Sequence, residues 1–387
     1  MKRWIIGSLG LLLAVVIGLA AFLALNWAET TGQADPSASD VLAGSTPPGR
    51  AAYLAGRAGH HGVPSYSVTL SDPTRPGVSY HGGEASDDAL FQSASLSKAV
   101  AAAGILTLAA HEGVDIDADI RDHVTSVDIR ALPGGDRPVS LRALLSHTAG
   151  ATVSGYPGYR RGKALPDTAT VITDPPRPSF VTPPVTLSGP KGDYAYSGGG
   201  YTIAQLFAED VSGQPFDALM RDLILDPVGM DSSTFAQPVE ADPDALARVV
   251  GTTSPRVIGA GIFAPLDDSW HDYPAQAAAG LWATSADYVR FARAVMDAGA
   301  GRDSSVEASV ARAMLTPVSE TYGLGVSLTR DADGAVTRFG HSGANSGYRA
   351  LFEADLRTQR IVVSLNNSGS GGHAFNAEVV NGLIDVP

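Results

Sequence analysis

The 387-residue sequence has no cysteine. Disulfides, thiolate catalysis and cysteine-based zinc sites are thereby excluded, as is a lipoprotein anchor, which needs a cysteine to carry its lipid. Lysine is scarce as well. Lys2, Lys98, Lys163 and Lys191 are the only ones, and arginine supplies most of the positive charge. The formal net charge of -13 argues against a nucleic-acid partner, because binding phosphates takes clustered cations. What remains is ordinary globular composition, 44% hydrophobic and 17% charged. That allows one large domain or two smaller ones, with a core large enough to keep a buried amine dry.

One long apolar run stands apart from the rest. Lys2 and Arg3 precede a hydrophobic stretch from Trp4 to about Asn26, broken only by glycines and Ser8. At helical rise such a stretch spans roughly 30 Å, the thickness of a bilayer core, whereas the apolar part of a cleaved signal peptide is about 7–15 residues. Residues 1–28 are therefore expected to form a transmembrane signal anchor. A cleaved secretory signal is the alternative, with Gly18-Leu19-Ala20 as a tolerable small-residue site. Positive charge on the short N-terminal side leaves everything after residue 28 outside the cytoplasm in either case. Residues 29–50, small, polar and interrupted by proline, read as a flexible linker, and residues 51–387 as the folded domain.

Within that domain an alanine-rich helix is expected at about 51–60. Alternating residues at 65–70 and 78–82 suit two strands joined by the Pro and Gly turn at 72–77. Residues 95–112 carry the longest helical pattern, closed by Gly113. From 150 to 200 the chain is rich in proline, glycine, tyrosine and threonine and reads as a long loop, of the kind that tends to carry function. Helices are expected at 201–212, 215–225, 285–298, 306–315 and 374–385, with strands at 325–331, 347–355 and 360–367. Strands near both ends, with helices inserted between them, predict an α+β fold whose antiparallel sheet is completed by the two ends of the domain. The mostly helical lobe falls at roughly 100–270.

Ser95-Leu96-Ser97-Lys98 opens the long helical pattern. Residues three apart share a helical face, so Ser95 Oγ and Lys98 Nζ can meet. The apolar residues after Lys98 would strip water from its ammonium and lower its pKa, as a basic amine near neutral pH requires. The competing reading makes Ser95 a helix N-cap and Lys98 a solvated side chain. A second Ser-x-x-Lys, Ser188 to Lys191, lies in a Gly/Pro turn with no helix to hold its geometry. Two further segments carry chemistry. Tyr196 stands beside the glycine run 198–200, where a tyrosine near a cationic lysine could lose its proton and serve as general base. Its alternative is an aromatic packed beside a tight turn. The strand Phe339-Gly340-His341-Ser342-Gly343-Ala344 has small residues along which a substrate could lie and a backbone N–H that could donate to an oxyanion, or it is simply a strand turning at glycine.

Ser95-x-x-Lys98, Tyr196-Ser197-Gly198 and His341-Ser342-Gly343, in that order, resemble the three motifs of the serine β-lactamase and penicillin-binding-protein superfamily. The likeness is to its class C and D-alanyl-D-alanine-peptidase-like branch. The segments 141–150 (LRALLSHTAG), 226–230 (DPVGM) and 278–284 (AAGLWAT) match the habits of that family too, so the likeness covers about residues 51–385. The resemblance implies a β-lactamase/transpeptidase-like fold. It makes Ser95 the acylated nucleophile, Lys98 a proton acceptor and Tyr196 the shared base that later protonates the leaving group. The N–H groups of Ser95 and Ala344 would form the oxyanion hole, and His341, with Ser342 and Gly343, would line the site and steer an anionic substrate group. Gly198 departs from the asparagine most of the family carries, which puts efficient β-lactam turnover in doubt.

Other chemistries find little footing. There is no G-x-S-x-G, and His111-Glu112 lacks the second histidine of a zincin helix. His60-His61 have no carboxylates at ligand spacing, and His147, inside a leucine-rich segment, reads as a satisfied structural histidine. No metal or organic cofactor is implied. The expectation is an exported, membrane-anchored serine hydrolase that takes a small molecule or cell-wall peptide, with D-alanyl peptides of peptidoglycan first and esters second. A β-lactamase and a catalytically silent cell-wall-binding protein are the alternatives.

Overall fold

Proline at 47 and 48, assigned to the linker on sequence, instead opens a helix. In the computed structural model, which describes residues 46–176, 182–252, 255–258, 262–265 and 270–385, helix α1 runs Pro47–His61. Proline is at home in a first turn, where its missing N–H has no partner to lose, and Thr46 caps the helix through its side chain. The linker therefore ends by Thr46. The expected anchor, 1–28, lies outside the described residues.

The hairpin β1 (Tyr66–Asp72) and β2 (Arg75–Gly82) comes next. A 3-10 turn, Ala94–Leu96, leads into helix α2, Ser97–His111. By length and composition the stretch Ala94–His111 could cross a membrane, yet every residue from Ser97 to Ala109 is buried inside the fold. Alanine on all sides lets neighbours approach from every direction, which is how a helix serves as the axis of a core. Short helix α3 (Leu141–Leu145) and helix α4 (Gly198–Ser212) pack near it. After α4 the expected helix 215–225 divides into Phe216–Met220 and a wider turn, Arg221–Leu225. The four-residue helix α5 (Gln276–Ala279) and helix α6 (Ser285–Gly299) precede the last strands.

Those strands are β3 (Ser327–Arg330), β4 (Val336–Asn345), β5 (Tyr348–Asp355) and β6 (Arg360–Asn366), followed by helix α7 (Gly372–Ile384). The six strands form one antiparallel sheet in the order β2-β1-β6-β5-β4-β3. The α+β architecture completed by both ends of the domain is thus as expected. Alternation along each strand divides the side chains between two cores. Tyr66, Val68 and Val362 meet Leu54 of α1 and Phe375, Val379 and Leu383 of α7 on one face. Phe352, Val363 and Leu365 meet the helices of the other face, including Tyr288 and Phe291 of α6. On β4 the same alternation sends Phe339, His341, Gly343 and Asn345 to the helical side, all buried, and leaves Ser342 and Ala344 exposed.

Candidate active site

Ser95 sits in the 3-10 turn ahead of α2, and this settles its competing reading. The N-cap of α2 is Leu96, with no side-chain capping bond, so Ser95 Oγ is not used to cap the helix. The residue before it, Ala94, is held at φ +49°, a left-handed conformation that costs a non-glycine residue on the order of 1–3 kcal/mol and persists only where surrounding packing imposes it. Part of that packing is β4. A methyl on Gly343 would lie 2.6 Å from Ser93 O and 3.1 Å from both Ala94 Cβ and Ser95 N, so only glycine lets the strand come this close. Main chain from two distant parts of the sequence thus meets at Ser95. β3 pairs with β4 only as far as Gly340, so beyond it the edge of β4 is left open for an incoming chain. Ser342 and Ala344 lie in this open stretch with their side chains on the exposed face.

Two side chains converge on Ser95 Oγ. Lys98 Nζ stands 3.1 Å away, and the Tyr196 hydroxyl donates to Oγ at 2.8 Å. Lys98 also donates to the Ala278 carbonyl of α5 at 2.7 Å and lies over the rings of Tyr196 and Tyr201, 5.0 and 5.5 Å from their centroids. Burial strips its ammonium of water and lowers its pKa to about 7. Tyr196 moves the opposite way. Burial holds its phenol well above the ordinary tyrosine value, and the bond to Ser95 offsets little of this. Burial thus works against the expected loss of a proton from Tyr196, which donates to Ser95 here, and brings Lys98 closest to neutrality near pH 7. A consistent proton arrangement follows, in which the Ser95 hydroxyl donates to neutral Lys98 while accepting from Tyr196.

His341 is also corrected. It lies on the helical side of β4, but Nδ1 donates to the Ser342 carbonyl at 2.6 Å and Nε2 accepts from Tyr322 at 3.0 Å. Burial, then the charge of Lys98, lowers its pKa to about 3. Neutral at physiological pH, with both nitrogens engaged, it has no charge with which to steer an anion. The second Ser-x-x-Lys does not pair its serine with its lysine. Ser188 bonds Thr186 at 2.7 Å, while Lys191 Nζ is buried without a hydrogen-bond partner among the described residues.

Glycine at 198–200 answers to the loop beside it. Ser197 caps α4 by accepting from Gly200 N, and its hydroxyl donates to the Thr152 carbonyl at 2.8 Å. A Cβ on Gly199 would stand 2.3 Å from that carbonyl. At Gly198 the space an asparagine would need is filled: a Cβ there meets Tyr156 Cε2 at 3.2 Å and the carbonyls of Val153 and Ser154 at 3.4 Å. Tyr156 is itself pinned by a 2.7 Å hydrogen bond with Thr202. Gly198→Asn is expected to lower stability by about 1–3 kcal/mol through overpacking, without creating lactamase activity. Thermal unfolding and turnover of a chromogenic cephalosporin check this, and a stable, faster variant would contradict it.

Sequence reasoning missed Ala278 as the carbonyl partner of Lys98, although the segment containing it was noted. It missed Tyr201, whose hydroxyl donates to Leu145 O at 2.7 Å, and Tyr322 altogether. Nothing near Tyr322 in sequence marks it, since its partners are His341 and Tyr194.

A profile of the family described as Beta-lactamase matches residues 50–381. Among known proteins the chain is 25% identical over 310 residues to penicillin-binding protein 4 of Amycolatopsis lactamdurans, covering 77% of each. Among solved structures it is similar to the octameric penicillin-binding protein homologue from Pyrococcus abyssi, with a TM-score of 0.65 and 20% identity over 86% of this chain and 76% of that one. It is also similar to D-amino acid amidase from Ochrobactrum anthropi SV3, with a TM-score of 0.60 and 23% identity over 86% and 96%. At these identities the structural likeness speaks for the fold alone.

Proposed function

The chain belongs to the Beta-lactamase family and is a serine hydrolase, and from that premise we propose that it cleaves amides and esters of D-alanyl type, peptidoglycan stem peptides among them, through an acyl-enzyme on Ser95. The observation that carries the reading is the convergence of Lys98 and Tyr196 on one hydroxyl, at 3.1 and 2.8 Å, with Lys98 near neutrality in pKa. Oγ bonds to the substrate carbonyl carbon as its proton passes to Lys98. Negative charge on the carbonyl oxygen is met by the N–H groups of Ser95 and Ala344. The C–N or C–O bond then breaks, and the leaving group takes a proton from the Lys98 ammonium, with the Tyr196 hydroxyl as relay. Water resolves the ester and restores Ser95. The D-amino acid amidase among the similar structures is the lead for a D-configured acyl group, and the penicillin-binding relative is the lead for including a penicillin in the test. A crowded Gly198 and a neutral His341 speak against efficient β-lactam turnover.

The test is intact-mass spectrometry of the full-length chain with a small panel: a penicillin, a D-Ala-D-Ala peptide, a D-amino acid amide and an aryl ester. Turnover of peptide, amide or ester with a long-lived penicillin adduct is expected. Rapid penicillin turnover would make it a β-lactamase, and no adduct or turnover on any of the four would leave a binding protein. The proposal includes retention by residues 1–28 with the catalytic domain outside the cytoplasm. Labelling of intact cells by a membrane-impermeant fluorophosphonate tests that placement, and labelling only after lysis would refute it.

The pH profile follows from the same lysine. Only neutral Lys98 accepts the Ser95 proton, and its fraction grows as pH rises through about 7. Acylation is therefore expected to climb about tenfold per pH unit on the acid side and to level off above that value. Stopped-flow labelling from pH 5 to 9 checks this, and a rate falling over that range would remove Lys98 from the role.

A further inference from the structure

His147 has no part in the chemistry just described, yet it holds the backbone on both sides of Tyr196. The Ala195 N–H donates to the His147 carbonyl at 2.8 Å, and the Ser197 N–H donates to His147 Nδ1 at 3.1 Å. The imidazole lies against the Tyr196 ring, with centroids 4.4 Å apart, and is enclosed further by Tyr322, Tyr201 and Tyr194 at 4.8, 5.3 and 5.7 Å. One residue thus fixes the main chain before Tyr196, the main chain after it and the ring between. His147 is anchored in turn at the end of α3, where its own N–H donates to Leu144 O and its neighbours Ser146 and Thr148 share a 2.9 Å hydrogen bond.

We infer that His147 is a positioning residue that sets the Tyr196 hydroxyl against Ser95, acting as a neutral imidazole with its proton on Nε2. The inference rests on the acyl-enzyme reading for its catalytic consequence, but its geometry stands without it. A backbone N–H needs an acceptor, so Nδ1 must be bare, and a neutral ring then carries its proton on Nε2. That nitrogen is buried with no hydrogen-bond partner among the described residues, which corrects the expectation of a satisfied histidine. Protonating Nδ1 would set two donors against each other at 3.1 Å and loosen the segment carrying Tyr196. Burial foremost, then the charge of Lys98, holds the ring neutral. His147 also adopts φ +63°, a conformation that asparagine tolerates better than most residues. The left-handed φ belongs to the end of α3, where the Thr148 N–H donates to Ala143 O and the His147 N–H to Leu144 O; that end requires no imidazole, and the ring it carries is the one that accepts from Ser197 beside Tyr196.

Two substitutions separate positioning from bulk. His147→Phe keeps an aromatic ring and removes the acceptor. His147→Asn offers Oδ1 where Nδ1 was and suits the positive φ. With a fluorophosphonate probe on the full-length chain, His147→Phe is expected to lower the maximal rate of Ser95 labelling about 100-fold, with the half-saturating probe concentration changed less than about threefold. His147→Asn is expected to recover at least about tenfold of that loss. A His147→Phe rate close to that of the wild type, or a His147→Asn variant no better than His147→Phe, overturns the inference. A second readout needs neither variant nor activity. In ¹⁵N-histidine-labelled wild-type protein, His147 should stay an Nε2-protonated neutral tautomer across pH 5.5–8.5, and an Nδ1-protonated or titrating ring overturns the inference. If the wild type is never labelled at Ser95, the acyl-enzyme reading fails, and the tautomer alone then decides for or against His147.

Discussion

Ser95→Ala is expected to abolish every covalent adduct and to cut turnover on the order of 10⁴-fold or more, to the level of binding and oxyanion contacts alone. Nearby hydroxyls cannot replace it. Ser97 donates to the Ala94 carbonyl and accepts from Leu281 N, and Ser197 is committed to capping α4 and to Thr152 O. Ser188 is held by Thr186 with no lysine bonded to it. Removing Oγ leaves Lys98 on the Ala278 carbonyl, so the fold should survive the change. Intact mass and circular dichroism on the purified variant check both halves. An adduct that persists, mapped by peptide mass to another residue, would sink the assignment.

Lys98→Met is expected to move activity and stability in opposite directions. Acylation should fall on the order of 10³-fold or more, because no other group within reach of Oγ accepts a proton near pH 7. Stability should rise. A lysine whose pKa drops from 10.5 to about 7 on folding binds fewer protons in the folded state than in the unfolded one between those two values. Stability from this residue therefore increases with pH across that window, and at pH 7 its burial costs roughly 4 kcal/mol relative to an amine that stays neutral. Methionine, unbranched and one atom shorter, removes that cost, offset by about 1–3 kcal/mol for the Ala278 carbonyl left without its donor. The net expectation is a Tm higher than wild type at pH 7, with the difference narrowing as pH approaches 10. Calorimetry on both proteins at pH 7 and pH 9.5 measures it, and a Tm below wild type at pH 7 would show that Lys98 is not buried at a cost.

How legible this was in the sequence varied with what each residue depends on. Ser95 and Lys98 were legible because their geometry is local, three positions in one turn, and the motif around them is specific. The sheet was legible because its strands alternate and its ends are punctuated by glycine and proline. The start of α1 was misplaced, since proline speaks for a linker and for a first helical turn equally. The protonation states were not legible at all. Tyr196 was read as a base through a cationic lysine and His341 as steering an anion through the family resemblance, and neither reading could weigh the burial among Tyr322, His147 and Tyr201 that raises the one pKa and lowers the other. The role of His147 was hidden for the same reason: its partners, Ala195 and Ser197, lie about fifty residues away.

The sheet order bears on when the chain can first react. Ser65 N–H is satisfied by the side chain of Asn367, 302 residues later, and β1 pairs with β6 along nearly its whole length. A chain made N-terminus first therefore carries Ser95, Lys98 and Tyr196 well before β4 has arrived to press Gly343 against the turn that presents the serine. Until then Ala94 has no strand to hold it in its left-handed conformation, and β1 exposes the edge that β6 will cover. Reactivity at Ser95 is therefore expected only once the last strands have emerged.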